Sequence, residues 1–359
     1  MKTIEMCAGA GGQALGLHNA GFKHEVLIEI DKHACKTLRY NNENLNLGWR
    51  RIIEGDLIDF AQHQAKEYKG EIDLVAGGVP CPPFSKAGKQ LGTDDERDLF
   101  PTALKIVRQI HPTAVMLENV PGLYEKKFTA YRSTIVNELT QLGYKSEWNL
   151  LQANHFGVPQ LRPRLILVAI KDPYFDLFQW PKSHRMPAQT VGETLYDLMA
   201  SNGWEDADKW KEQANDIAPT LVGGSKKHGG PDLGPTRSKK QWHALSVNAH
   251  RVGNHDEIPG PEFKGVLLRD GSIREGYENM PLLTIRMAAR IQGFPDEWQF
   301  IGNKTHAYRQ VGNALPPPVA EAIGTQLQRV ITTIRKRTFP NDSLVKNRPG
   351  RLPQSTYLR

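Results

Sequence analysis

The stretch Lys2-Thr3-Ile4-Glu5-Met6-Cys7-Ala8-Gly9-Ala10-Gly11-Gly12 decides the fold. Residues 2–6 read as a strand and residues 8–12 as a glycine loop; Leu15, Leu17 and Ala20 then mark a helix that stops at Gly21. Strand, glycine loop and helix form the nucleotide-binding opening of a doubly wound sheet, because glycines permit a tight turn and let a ligand approach the backbone. Residues 24–30 read as a second strand that ends among Glu29 and Asp31. An acid about 20 residues past such a loop is where these folds meet ribose hydroxyls. Further strands are predicted at 51–54 (ending at Gly55-Asp56), 72–76, 114–117, 148–151 and 165–170, with helices within 94–111 and at 131–142. Alternating strands and helices with short links predict an α/β fold, a doubly wound and mostly parallel sheet covered on both faces. Ligands sit at the carboxyl ends of such strands. That rule gathers Gly9, Glu29, Asp56, Cys81 and Glu118 around one cleft.

The strand at 72–76 runs through Gly77-Gly78 into Pro80-Cys81-Pro82-Pro83-Phe84-Ser85. Each proline fixes φ and removes an amide donor, so neither helix nor sheet holds this segment. A thiol is pinned in a loop, and a thiolate is a strong nucleophile. Taken alone, a single cysteine reads more simply as a small buried hydrophobe; its neighbours reverse that preference.

The 359 residues suffice for a large domain and a smaller one. No apolar run approaches the roughly 20 residues of a membrane helix, and the amino terminus lacks the pattern of an export signal. The three cysteines, Cys7, Cys35 and Cys81, have no pair spacing, which argues against a disulfide framework and a structural zinc site. A reducing, cytoplasmic setting is expected. The net charge is +7 and unevenly placed. Residues 225–251 carry six Lys or Arg against Asp232, and residues 331–359 carry seven against Asp342, on a mildly acidic remainder. Two basic segments suggest a polyanion partner, with nucleic acid first; a solvated loop and tail account for the same charge. The alternation fades after residue 171, where glycines, prolines and Trp180, Trp204, Trp210 and Trp242 gather. Residues 1–180 are therefore read as the catalytic and cofactor-binding domain, and 181–280 as a second, smaller domain. Residues 281–335 return to the first domain, and 336–359 form a basic tail.

The ordered set of motifs resembles the cytosine carbon-5 DNA methyltransferases of restriction–modification systems. It runs from Ala8-Gly9-Ala10-Gly11-Gly12 through Pro80–Ser85, Glu118-Asn119-Val120 and Gln160-Leu161-Arg162-Pro163-Arg164 to residues 286–295 and Gly312-Asn313. The motifs span residue 7 to about residue 320, and their joint order is far more specific than any one of them. The resemblance implies the S-adenosylmethionine-dependent methyltransferase fold, with residues 181–280 as a DNA target-recognition domain. It implies a thiolate of Cys81 adding to cytosine carbon 6, and Glu118 hydrogen-bonding or protonating ring nitrogen 3. Arg164, with Arg162, would contact the base oxygen and hold the carboxylate.

The cofactor implied is S-adenosyl-L-methionine. Cys7, Ala8, Gly9, Gly11 and Gly12 would lie along its methionine part, Glu29 and Ile30 at the ribose, and Asp56 and Leu57 at the adenine. Pro80, Leu99 and Asn313 would complete the pocket. Two positions depart from the family pattern: Cys7 replaces the usual phenylalanine, and Pro82 stands where many relatives have glutamine. The partner implied is double-stranded DNA, with a restriction endonuclease as functional counterpart and a monomeric enzyme. Ser85, Lys86, Lys226, Lys227, Arg237, Lys239 and Lys240 are the expected DNA contacts, and residues 86–98 a loop that closes over a flipped-out base. No metal is expected.

The competing enzyme is a transfer-RNA cytosine-5 methyltransferase of the same fold, but the Cys-Phe-Thr signature that those share in the small domain is missing here. A non-catalytic DNA-binding protein on this scaffold would not need Cys81, Glu118, Arg162 and Arg164. A nicotinamide oxidoreductase would explain only the glycine loop.

Overall fold

The structure is a computed structural model that describes residues 1–80, 98–184, 186–223 and 231–338. Its centre is a seven-stranded sheet built from β1 (Lys2–Met6), β2 (Lys23–Glu29), β3 (Ile52–Glu54), β4 (Leu74–Gly77), β5 (Ala114–Asn119), β6 (Tyr144–Gln152) and β8 (Pro163–Lys171). The strand order is β3-β2-β1-β4-β5-β8-β6. Neighbours pair in parallel from β3 to β5, and β8 is antiparallel to both β5 and β6. The reversal has a local cause. Only residues 153–162 separate β6 from β8, too few for the crossover of a dozen or more residues that a parallel return needs.

The strand interiors read as continuous apolar runs because both faces are covered. Side chains alternate across the sheet. Val115 and Leu117 of β5, with Leu165, Leu167 and Ala169 of β8, face α3 (Leu57–His63), α4 (Phe100–Ile110) and α5 (Thr129–Gln141). Ala114 and Met116, with Ile166, Val168 and Ile170, face α11 (Pro317–Thr338) and Leu17 of α1 (Gly12–Asn19). The carboxyl-terminal helix thus closes the sheet's second face.

The elements fall where the sequence places them, with shifted ends. The fourth strand begins at Leu74 and not at residue 72, and β6 begins four residues before the predicted 148. In β6 polar and apolar residues mix, because part of this edge strand faces solvent and its burial is patchy. Within residues 1–180 the sequence gives no sign of two helices, α2 (Lys32–Asn44) and α3. Only α2's Ala34, Cys35, Thr37, Leu38 and Asn41 are buried, a stripe too thin and polar to show in composition.

Residues 181–280 hold more helix than their loop-like composition suggests: α6 (Val191–Ala200), α7 (Ala207–Gln213) and α8 (Thr236–Ala244). Two short pairings accompany them. β7 (Gln160–Leu161) pairs in parallel with β9 (Ala218–Pro219), and β10 (Gly265–Leu267) pairs with β11 (Ile273–Glu278) as an antiparallel ribbon. Trp204, Trp210 and Trp242 are buried in an apolar cluster that also takes in Ala14, Leu15, Leu27, Leu38 and Trp49 of the sheet side. The same cluster includes Met287 of α9 (Ile285–Ile291) and Val311 of α10 (Lys304–Asn313). Among the described residues, no helix is long and apolar enough to cross a membrane.

Candidate active site

The glycine loop turns out of β1 on two left-handed residues, Cys7 (φ 51°) and Gly9 (φ 54°), and Gly11 (φ 87°) opens α1. Gly9 alone of the loop glycines is open: among the described residues nothing stands within 4 Å of where a Cβ would be. Gly11 and Gly12 are closed by protein. A Cβ on Gly12 would lie 2.3 Å from the Leu315 carbonyl oxygen, and one on Gly11 would meet Leu38 and Trp298 at 2.9 Å. So the glycines divide their work. One leaves room at the cleft and two permit packing.

Glu29, the last residue of β2, ties the loop to the second strand. Its Oε2 accepts from the Gly9 amide at 2.7 Å and its Oε1 from the Asp31 amide at 2.8 Å. Burial pushes its carboxyl above the ordinary carboxylate value, while the Asp31 and Gly9 amides pull the other way. The Ile30 amide also reaches this carboxylate, and with three amides on about four acceptor sites it keeps capacity for a ligand hydroxyl. Asp31 caps α2 through the amides of His33 and Ala34, and Asp56 caps α3 through the Ile58 amide at 2.7 Å. Ile30 presents an exposed apolar side chain, whereas Leu57 is buried in the sheet core. Open backbone at Gly9, a carboxylate with free lone pairs and an apolar wall fit a cofactor with hydroxyl, amine and aromatic parts.

The two described thiols are inert. Burial pushes Cys7 far above the ordinary thiol value, with the Glu29 and Asp56 carboxylates adding to it. Burial likewise raises Cys35 to about 12, and its Sγ donates to the Glu29 carbonyl at 3.3 Å. Neither provides a thiolate near neutral pH.

Glu118 sits near the carboxyl end of β5. The β5–β8 register places Glu118 opposite Ile166, so Arg164 is its diagonal neighbour on the same face. Arg164 Nε lies 2.7 Å from Glu118 Oε1, with the two side chains only 10% and 13% exposed. Burial lowers the arginine's pKa and the carboxylate raises it in return; a guanidinium stays charged through such shifts. The other carboxylate oxygen is 3.0 Å from where a Cβ on Gly78 would be. Next to it, Asn119 Nδ2 donates to the Val79 carbonyl at 3.0 Å. The chain leading to residue 81 is therefore held against Glu118 and Asn119. The Leu99 amide donates to the Pro80 carbonyl at 3.3 Å, which brings together the two ends of the segment 81–97. Cys81, Ser85, Lys86 and nearly all of the predicted closing loop lie outside the described residues, as do Lys226 and Lys227.

Arg162 is placed elsewhere than its neighbour in sequence suggests. It is 0% exposed and donates to the carbonyls of Leu221 (2.6 Å), Gly312 (2.7 Å) and Ala314 (3.0 Å). Pairing with the Glu118 carboxylate falls to Arg164, because residues two apart across Pro163 diverge as β7 gives way to β8. Gln160 completes this junction: it donates to Gln292 Oε1 at 2.7 Å and accepts from the Leu221 amide at 2.8 Å. Sequence reasoning missed Gln160 and Gln292, although Gln160 opens the element from which both arginines were taken. Asn313 is exposed, with its Oδ1 beside Gly223. Arg237 and Lys240 are exposed on α8, while Lys239 Nζ pairs with Asp232 at 2.7 Å.

Comparison with known proteins places the chain in a family. The C-5 cytosine-specific DNA methylase family model matches residues 1–329. The Type II methyltransferase M.NaeI of Lentzea aerocolonigenes is 51% identical over 332 residues, covering 92% of this chain and 75% of that protein. M.NgoMIV of Neisseria gonorrhoeae is 49% identical over 331 residues, covering 92% of this chain and 97% of that one. Among solved structures, a DNMT2 mutant of Spodoptera frugiperda superimposes with a TM-score of 0.58 at 16% identity, covering 92% and 99% of the two chains. That last likeness concerns the fold; the sequence matches concern the family. This chain belongs to the C-5 cytosine-specific DNA methylases.

Proposed function

We propose that this methylase transfers a methyl group from S-adenosylmethionine to carbon 5 of a cytosine flipped out of a short duplex target, through a covalent bond from Cys81 to carbon 6. The observation that carries the reading is the Glu118–Arg164 pair set against the Gly78–Val79 segment that leads to Cys81. The thiolate forms a carbon–sulfur bond at carbon 6, and the electron pair moves into the ring toward nitrogen 3 and oxygen 2. Glu118 donates a hydrogen bond or proton at nitrogen 3, and Arg164 holds that carboxyl and meets the base oxygen. Bound S-adenosylmethionine supplies an electrophilic methyl group. Carbon 5 would take the methyl as S-adenosylhomocysteine leaves; its proton would pass to a solvent base, and the bond to the Cys81 sulfur would break as nitrogen 3 gives back any proton taken from Glu118, returning the thiolate.

For the cofactor, the Gly9 backbone with Cys7 and Ala8 would take the methionine part, Glu29 and Ile30 the ribose, and Asp56 the adenine amine. Pro80, Leu99 and Asn313 would line the remainder. Gly11, Gly12 and Leu57 shape that pocket from behind. Flipping costs a few kcal/mol, which contacts to phosphates and to the pocket offset. A cognate endonuclease is the functional partner that the Type II relatives suggest, and residues 181–280 are the target-recognition region.

The test is transfer of labelled methyl from S-adenosylmethionine to mixed-sequence duplex DNA by wild type, Cys81→Ser and Glu118→Gln. Wild type should label cytosine carbon 5, Cys81→Ser nothing, and Glu118→Gln should be slower by about 100-fold or more. Label on transfer RNA and none on duplex would replace the substrate; equal rates for Glu118→Gln would remove it from the mechanism.

A further inference from the structure

The β10–β11 ribbon has no evident structural purpose. Apart from Gly265 at its base, its residues are exposed or half-exposed on both faces. Leu267 is 65% and Leu268 43% exposed, at the start of the turn. A two-stranded ribbon alone in water is marginal, yet this one is anchored. The Asn279 amide donates to the Lys264 carbonyl at 2.8 Å, and His243 Nε2 on α8 is 2.8 Å from the Gly276 carbonyl. The Tyr277 ring packs edge-on against His243 and His250, at centroid distances of 4.9 and 5.1 Å. The turn is closed by Asp270, whose Oδ1 accepts from the amide and hydroxyl of Ser272 at 3.0 and 2.7 Å. Arg269 in the turn and Arg274 on β11 are exposed, and no carboxylate among the described residues pairs with either.

The ribbon also stands in a chain of contacts that leads from the site. Asn313 lies against Gly223; Val222 and Ser238 crowd Gly234, at 3.0 and 3.3 Å from where its Cβ would be. Ser238 belongs to α8, the helix that carries exposed Arg237 and Lys240 and holds the ribbon through His243. A basic helix beside a projecting ribbon matches a duplex, whose major groove admits a two-stranded β-ribbon and whose phosphates flank it. Arg274 lies over the Tyr277 ring at 5.8 Å, and a guanidinium without a carboxylate partner suits guanine, which offers O6 and N7 to a bidentate arginine.

We propose that the β10–β11 ribbon is the base-reading element, entering the major groove of the target so that Arg269 and Arg274 donate to guanine edges. This rests on the duplex-DNA reading above. The experiment methylates a random-sequence duplex library and sequences the modified sites, for wild type, Arg269→Lys and Arg274→Lys. Lysine keeps the charge and loses the fork.

Wild type should mark one short motif containing guanines. Each variant should still methylate but lose preference at a guanine, with discrimination there falling about 10- to 100-fold and the salt dependence unchanged. An unchanged motif and rate in both variants would overturn the proposal. So would a uniform loss on all sequences, which marks phosphate contacts, or a dimer that Leu267→Asp splits with the motif intact, which marks a strand edge for a second copy. A wild type that labels no duplex overturns the duplex reading itself, and this one with it.

Discussion

In the first two strands, His24 Nε2 lies 3.3 Å from Glu5 Oε2, and both side chains are buried. Burial pushes His24 down to about 3, so near neutral pH it is uncharged, and raises Glu5 well above its ordinary value. The signs oppose one another. Between about pH 3 and the ordinary histidine value of 6.5, the unfolded chain binds a proton that folded His24 refuses. Stability from this group therefore rises with pH across that window and levels off above it. Glu5 does the reverse from its ordinary 4.5 upward, since the folded state keeps a proton that the unfolded chain releases. Replacing His24 isolates its share. As pH falls below 6.5, wild type should lose stability relative to His24→Gln by up to about 1.4 kcal/mol per unit. Denaturant titrations at several pH values measure this, and a difference that stays constant with pH would show that His24 protonates freely in the fold. At the same scale, Cys7 was legible as a departure from the family pattern, but its left-handed backbone and crowded thiol were not. The raised thiol comes first from burial, with the Glu29 and Asp56 carboxylates, 22 and 49 positions away, adding to it.

Among the elements, α1 lies against the start of α11 with no space for side chains. A Cβ on Gly16 would come within 2.3 Å of the Pro317 carbonyl and 2.6 Å of the Ala320 Cβ. Alanine is the better helix former by about 1 kcal/mol, so intrinsic propensity predicts that Gly16→Ala stabilises. Packing predicts the opposite: overpacking against backbone costs about 1–3 kcal/mol or more. We expect a net loss for Gly16→Ala and for Gly12→Ala, seen as a lower urea midpoint at constant slope. An unchanged midpoint would mean that α11 shifts without cost. The glycine loop was readable as a turn because φ is a local property. That Gly12 packs on Leu315 and Gly16 on α11, some 300 residues on, was not.

Across the whole molecule, Arg162 joins the sheet side to Leu221 and to the Gly312–Ala314 turn beside Asn313, through three carbonyls and no carboxylate. Burial, with Arg164 adding to it, lowers its pKa well below the ordinary value. A buried cation held this way is replaceable only by another donor of the same reach. Arg162→Met should cost about 3–5 kcal/mol, because it leaves those carbonyls unpaired. It should also speed amide exchange in residues 218–223 and 312–314 before it affects the distant edge at β3. Exchange that rises equally everywhere would show a general loss of stability in place of a lost junction.

By itself the sequence determined the apolar strands, the glycine turn, the proline-bound thiol and the Glu118–Asn119 strand end, since each depends on neighbours a few residues apart. The carboxyl-end rule then set Gly9, Glu29, Asp56 and Glu118 at or just past the ends of β1, β2, β3 and β5, where the structure has them. Only the tertiary structure decided that β8 runs backwards, that Arg164 and not Arg162 pairs with Glu118, and that Gln160 and Gln292 share a buried junction. It also decided that a ribbon projects beside the basic helix. These outcomes depend on partners tens to hundreds of residues apart, and burial, which sets the strength of every polar contact among them, exists only once the chain has closed around them.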